Sequence, residues 1–190
     1  NYKESLTGGE KTVSTEGAPV ETTPDVQEVK VQVKDNFLTA EQHQKLIEDF
    51  KNLPWFAGDY KVDESEERTY DNVQLVHTFH RDHMVESVFF DIVGPIIDTL
   101  KPKALIRVKA NFQIGSGNPK ESMMHTDTVH ADSKTAVYYL ETNNGYTKLE
   151  DGTKIESVGN RLVTFPSDLL HCGCTCSDQQ KRIILNLNYY

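Results

Sequence analysis

In the stretch MMHTDTVH, His125 and Asp127 stand two residues apart, so an extended backbone turns both side chains to one face. An imidazole and a carboxylate presented together can hold a divalent metal. A second histidine from elsewhere would complete a two-histidine, one-carboxylate set, which suits Fe(II) and leaves coordination positions open to other ligands. Taken alone, such a pair is common by chance and equally describes a polar surface. The third ligand decides the matter, and His171 is the candidate, 46 residues downstream and just after the apolar-patterned NRLVTFPSDLL.

Arg182 is the fourth element, separated from His171 by ten residues and opening the terminal run RIILNLNYY. Its strand face is otherwise Ile184, Asn186 and Asn188, so the guanidinium is placed to need an anion. Its planar fork of donors suits a carboxylate. A co-substrate that chelates a metal at one end and offers a carboxylate at the other fits this set; an ordinary rim salt bridge is the plain alternative.

Cys172, Cys174 and Cys176, the three cysteines of the chain, follow His171 in alternation. On an extended segment they share one face while His171 points to the other, which disfavours a joint metal site. Thiolates also select Zn or Cu(I), and no second cysteine pair exists to complete a tetrahedral set. They are expected to be small buried residues. Three thiols cannot all pair within one chain, which points to a reducing, cytoplasmic compartment.

The elements that must position these groups are legible in outline. VQVKDNFL suggests a short strand, and Thr39 with Gln42 forms a capping box ahead of a helix with Leu46, Ile47, Phe50 and Leu53 on one face. A second helix is expected from about Met84 to Leu100, bent at Gly94-Pro95. From Ala104 onward the pattern is that of strands. ALIRVKANFQI alternates, with Arg107, Lys109, Asn111 and Gln113 on the polar face, and KTAVYYLET, NRLVTF and RIILNLNYY follow. Short antiparallel strands after two helices predict a mainly β, α+β domain, a sandwich or jelly roll with flanking helices.

Residues 1–30, rich in Ser, Thr, Gly, Glu and Pro, read as a flexible tail, and residues 31–190 as a single domain. The net charge is −9: the first thirty residues hold three Lys and six acids, which leaves −6 for the rest. That sign opposes a nucleic-acid partner. No apolar run approaches the roughly 20 residues of a membrane span, and the sequence as read opens on no basic-then-apolar leader.

HTD at 125–127, His171 and Arg182, in the order HxD, H and then R after ten residues, resemble the Fe(II)/2-oxoglutarate-dependent oxygenases. KTAVYYLETNNGYTKLEDGT and NRLVTFPSDLLHCG resemble their prolyl-4-hydroxylase-like branch, including small bacterial and phage-encoded members. The resemblance covers residues 104–190 well and the helical half loosely. It implies a double-stranded β-helix in which His125, Asp127 and His171 hold iron and form the catalytic centre. It further implies that Arg182 pairs with the distal carboxylate of 2-oxoglutarate, O2 being the oxidant and ascorbate an auxiliary reductant. In relatives a tyrosine on the strand after HxD joins that arginine, and Tyr138 matches the position. Another tyrosine often precedes HxD two residues ahead of a glycine; here Gln113 stands before Gly115. Asn186 is a further inner-face contact. An intact carboxylate ligand favours hydroxylation over halogenation.

The expectation is therefore a hydroxylase acting on a C–H bond, in a peptide or protein first and in a small molecule such as an amino acid second. The rival is a non-catalytic jelly-roll module that keeps a metal site within a larger assembly. Around the site, His77, His80 and His83 are read as strand or substrate-lip residues, His130 as a loop residue near the entrance and His43 as exposed. Trp55 and Phe56 belong to core or lid, and the acidic run Asp63 to Glu67 is a solvated loop or a lid.

Overall fold

A computed structural model of the chain describes residues 31–58, 74–128 and 130–190. The tail expected at 1–30 and the acidic run at 63–67 lie outside the described residues.

Where the apolar residues alternate, strands form, and because both faces of the central ones are buried, two cores result. The strands are β1 (Gln32–Lys34), β2 (Phe56–Ala57), β3 (Gln74–Arg81), β4 (Met84–Val85), β5 (Leu105–Ile114), β6 (Lys134–Tyr139), β7 (Tyr146–Leu149), β8 (Lys154–Glu156), β9 (Arg161–Pro166), β10 (His171–Cys174) and β11 (Lys181–Tyr189). The larger sheet runs β1-β9-β6-β11-β5-β3-β2, with β4 on β3; the smaller runs β10-β7-β8. Glu121 and His125 add single bridges to Cys174 and His171, so the segment before Asp127 extends the smaller sheet. Every strand pairing is antiparallel. Two facing sheets with flanking helices are the jelly roll, or double-stranded β-helix, that the strand pattern predicted.

Helix α1 (Ala40–Phe50) begins at the capping box: Thr39 Oγ1 accepts from the Gln42 amide, and Gln42 Oε1 accepts from the Thr39 amide. Leu46 and Phe50 turn inward to meet Phe79, Val93, Ile96, Val108, Tyr138, Leu185 and Leu187, the core between helices and large sheet. Between the sheets lies a second core of Val137, Tyr139, Leu149, Ile155, Val163, Phe165 and Leu169. Strand β6 serves both, sending Ala136 and Tyr138 to the helices and Val137 and Tyr139 to the small sheet.

The second helix is shorter than the expected 84–100. Asp82 and His83 adopt positive φ of 49° and 65°, the conformation of a two-residue hairpin turn, and Met84–Val85 return as strand β4. A 3-10 turn follows at Phe90–Val93, and α2 (Gly94–Leu100) starts where Pro95 can occupy the first turn without a missing donor being felt. The three histidines accordingly do not converge. His83 is in the turn, while His77 donates from Nδ1 to the Pro54 carbonyl at 2.8 Å and lies 2.8 Å through Nε2 from Ser87 Oγ. No helix among the described residues is long and apolar enough to cross a membrane.

A buried amide ties the N-terminal segment to the large sheet. Asn160, at φ 64°, accepts from the Leu38 amide at 2.9 Å and donates to the Leu38 carbonyl at 2.9 Å. Its Oδ1 also takes the Tyr138 hydroxyl at 3.0 Å, and that hydroxyl lies 2.6 Å from His43 Nδ1. His43 is thus half-buried rather than exposed, and burial lowers its pKa. Replacing Asn160 with Ala strands both Leu38 backbone groups and should cost about 2–3 kcal/mol in urea unfolding. An unchanged midpoint would show that the clasp contributes nothing.

Candidate metal centre

Antiparallel pairing brings together two histidines far apart in sequence. The His125 amide donates to the His171 carbonyl at 2.9 Å and the His171 amide to the His125 carbonyl at 3.0 Å, so the two imidazoles are cross-strand neighbours with ring centroids 4.7 Å apart. Two residues on, Asp127 reaches the same point. The ligand atoms of His125, Asp127 and His171 all lie within 4.8 Å of one another, and no other group of this kind occurs among the described residues.

Each histidine is oriented by its own backbone. His125 Nδ1 lies 3.0 Å from the Met123 carbonyl and His171 Nδ1 2.9 Å from the Leu169 carbonyl. A carbonyl can only accept, so Nδ1 carries the proton and Nε2 keeps its lone pair for a metal. His171 Nε2 is 3.5 Å from Asp127 Oδ2.

Asp127 is only 4% exposed at its side chain. Burial by itself would raise its pKa. The electrostatic pull of His171 and Arg107 and hydrogen bonds from Asn186 and Thr135 overcome that and bring it to about 2. Arg107 Nη2 donates to Oδ1 at 3.0 Å, while Thr135 Oγ1 and Asn186 Nδ2 donate to Oδ2 at 2.9 and 3.0 Å. Asn188 Nδ2 in turn donates to Thr135 Oγ1 at 3.0 Å. Three strands of the large sheet, β5, β6 and β11, therefore grip one carboxylate.

Arg182 is 1% exposed and forms no ion pair among the described residues. Its Nε donates to Ser157 Oγ at 2.8 Å, Nη1 to Gln113 Oε1 at 3.0 Å and Nη2 to Thr147 Oγ1 at 3.5 Å. The guanidinium carbon lies 5.6 Å from the centre of the Tyr139 ring. Gly145 makes room: a Cβ there would meet Arg182 Cδ at 2.6 Å and the Cys174 carbonyl at 2.8 Å. Burial lowers the pKa of this cation, and neutral partners alone balance a buried charge poorly. One cavity of about 140 Å³ is lined by the triad and by Arg182 together.

The donor set fits Fe(II), and the buried Arg182 without a carboxylate partner fits an anionic co-substrate. Of the expected contacts, Gln113 does meet Arg182. Asn186 instead supports Asp127. Tyr138 is not brought to the cavity: strand parity sends it to the helix side, where its hydroxyl meets His43 and Asn160. Its neighbour Tyr139 takes the place beside Arg182 and donates to Thr147 Oγ1 at 2.8 Å. Thr135 and Arg107 went unread in the sequence as carboxylate partners, although both are polar residues on strand faces shared with the site. Ser157 and Thr147 sit on β8 and β7 or just beyond, strands whose short runs carry little alternation.

Cys172 and Cys174 turn away from the cavity, opposite Lys148 and Tyr146 on the outer face of the small sheet. Burial raises the Cys172 and Cys176 pKa values, so these thiols stay protonated and are poor metal ligands.

No protein-family model and no curated protein matches the chain. Solved structures do. A prolyl hydroxylase from Trichoplax adhaerens, in complex with a hypoxia-inducible-factor oxygen-degradation-domain peptide, superposes with a TM-score of 0.62 at 14% identity, over 84% of this chain and 83% of that one. An oxidoreductase of the 2OG-Fe(II) oxygenase family from Burkholderia pseudomallei gives 0.63 at 12% identity, over 84% of each chain. A non-heme α-ketoglutarate-dependent epimerase of nogalamycin biosynthesis gives 0.62 at 11% identity, over 85% of this chain and 78% of that one. The fold is the one these structures share.

Because Asp127 titrates near 2 when folded and near 4 when unfolded, its charge contributes stability that is complete above about pH 4 and is lost as the pH falls toward 2. In the metal-free protein, the urea stability difference between wild type and Asp127→Asn should narrow across that window; a gap independent of pH would refute the assignment. Thr135→Val should weaken Mn(II) binding by about tenfold or more in calorimetric titration.

Proposed function

We propose that the chain is an Fe(II)- and 2-oxoglutarate-dependent dioxygenase that hydroxylates a C–H bond. The observation that carries this reading is one cavity lined both by a two-histidine, one-carboxylate set and by a buried arginine that has no carboxylate partner among the described residues. A metal centre alone would serve many chemistries. A metal centre sharing its cavity with a carboxylate receptor serves few.

His125 and His171 would hold the metal through Nε2, with Asp127 supplying the third, charged ligand. Arg182 would bind the distal carboxylate of 2-oxoglutarate, with Gln113, Thr147 and Ser157 fixing the orientation of the guanidinium and Tyr139 closing one side. Bound there, the metal and 2-oxoglutarate would supply the oxidising chemistry, in which one atom of O2 would enter the substrate C–H bond and the other succinate, with release of CO2. The protein's contribution is to orient and to keep water out. Phe165 lies 4.8 Å from the His171 ring, between ring centroids, and forms part of the dry inter-sheet core behind the site.

A peptide or protein substrate leads, since one structural neighbour is a prolyl hydroxylase holding a peptide. A free amino acid or similar small molecule stands second, and a nucleic acid is disfavoured by the net charge of −9. A non-catalytic module would have no need to keep the carboxylate ligand, its three donors and the arginine together.

Anaerobic addition of Fe(II) and 2-oxoglutarate should produce a weak visible charge-transfer band, and admission of air should produce succinate. Neither signal should survive Asp127→Ala. Arg182→Gln should raise the KM for 2-oxoglutarate by at least about tenfold, as expected when a charge-assisted contact is removed. Product would be sought as a +16 mass shift across peptides and metabolites. Absence of both band and succinate would overturn the reading.

A further inference from the structure

Arg107 belongs to the metal centre without being one of its ligands. Its Nη2 donates to Asp127 Oδ1 at 3.0 Å, and among the described residues it is the one permanently charged cation in contact with that carboxylate. The other close contact runs to His171 Nε2 at 3.5 Å, a nitrogen that keeps its lone pair while Nδ1 faces the Leu169 carbonyl. Thr135 and Asn186, which hold Oδ2, are neutral. The charge of the buried carboxylate is therefore answered by Arg107.

The sheet does not favour this placement. Arg107 on β5 stands in register with Arg81 on β3, and like charges directly opposite each other are destabilising. Its Nε is buried without a hydrogen-bond partner, a further cost. Arg182 is held through three donor contacts, whereas the guanidinium of Arg107 has the one to Asp127. Its side chain is also 26% exposed against 4% for Asp127, so the cation sits at the edge of the site and the anion inside it.

We infer that Arg107 is a positioning residue that stands in for the metal: without metal it neutralises Asp127 and holds it in place, and with metal it opposes the bound ion and loosens its binding. The inference rests on the metal-centre reading. A divalent ion and the guanidinium lay claim to the same unit of negative charge, and at such short separations their mutual repulsion is barely screened by salt. Removing the guanidinium acts twice in one direction. The metal-free protein loses its counter-ion and is destabilised, while the metal-bound protein loses a repulsion. Both effects favour binding. Thr135 has the opposite sign, because a neutral hydroxyl orients the ligand without repelling the ion. Two donors to one carboxylate are thereby distinguished as counter-ion and support.

The test is calorimetric titration of the full chain with Mn(II), which needs no turnover. Arg107→Met should bind Mn(II) about tenfold or more tightly than wild type, and Arg107→Lys, which keeps the charge, should return to within about threefold of it. Arg81→Gln removes a cation that does not touch Asp127 and should change the affinity less than Arg107→Met does. In thermal melts Arg107→Met should unfold below wild type without metal, and saturating Mn(II) should narrow the gap. If Arg107→Met melts cooperatively only with Mn(II), the inference is supported, since the ion then replaces the missing cation. If it does not melt cooperatively even with Mn(II), Arg107→Gln takes its place. Unchanged or weaker Mn(II) binding by the neutral variant, an equal gain from Arg81→Gln, failure of Lys to restore the wild-type affinity, or loss of cooperative melting by both neutral variants in saturating Mn(II) would overturn the inference. Succinate formation is scored separately: tighter Mn(II) binding by Arg107→Met without succinate from wild type would sink the oxygenase reading alone, and succinate with an unchanged Mn(II) affinity this inference alone.

Discussion

A carboxylate stays ionised inside a protein only where donors surround it, and the rest of the structure depends on that condition being met at Asp127. Each oxygen is claimed from the large sheet: Arg107 from β5 on one, Thr135 from β6 and Asn186 from β11 on the other. These three strands lie side by side at the centre of the sheet in the order β6-β11-β5. Their registers are therefore fixed twice, once by backbone pairing and once by converging on a single charge. A slip of one residue in any of them would turn its donor to the opposite face and leave a charge buried without compensation.

The small sheet supplies the complementary part. It carries His171 on β10 and, through the bridge to His125, aligns the segment that leads into Asp127. The metal set is thus assembled at the seam of the two sheets, with residues from one sheet held steady by residues of the other. The arginine that faces the same cavity is treated differently. Asp127 is surrounded by charge and strong donors, whereas Arg182 meets hydroxyls, an amide and an aromatic face. One buried charge is met by an opposite charge, and the other by neutral groups among the described residues.

Much of this was legible because strands encode direction in parity. HxD spacing, the polar face of ALIRVKANFQI and the Arg, Ile, Asn, Asn face of the last strand each predicted a shared side, and each side is where the structure places it. Parity also explains the miss at Tyr138. The family pattern supplies a position but not a face, and Thr135, two and four residues before Val137 and Tyr139, shows which residues of β6 look toward Asp127. What sequence could not show were contacts set by pairing between distant strands, such as Arg107 with Asp127 or Asn160 with Leu38. The expected long second helix failed for a local reason: two consecutive residues with positive φ turn the chain back into a hairpin before helical spacing can take hold.

The histidines follow a rule of their own. In both, the ring is steered by the carbonyl two residues earlier in the same chain segment, Met123 for His125 and Leu169 for His171. Orientation is thereby written into tripeptides rather than into the surrounding architecture. The walls of the cavity are free to diverge in size and charge without retuning the ligands, provided those two short segments keep their course. Local steering of this kind asks little of the rest of the sequence, and the fold itself is shared with solved structures that are only 11–14% identical to this chain.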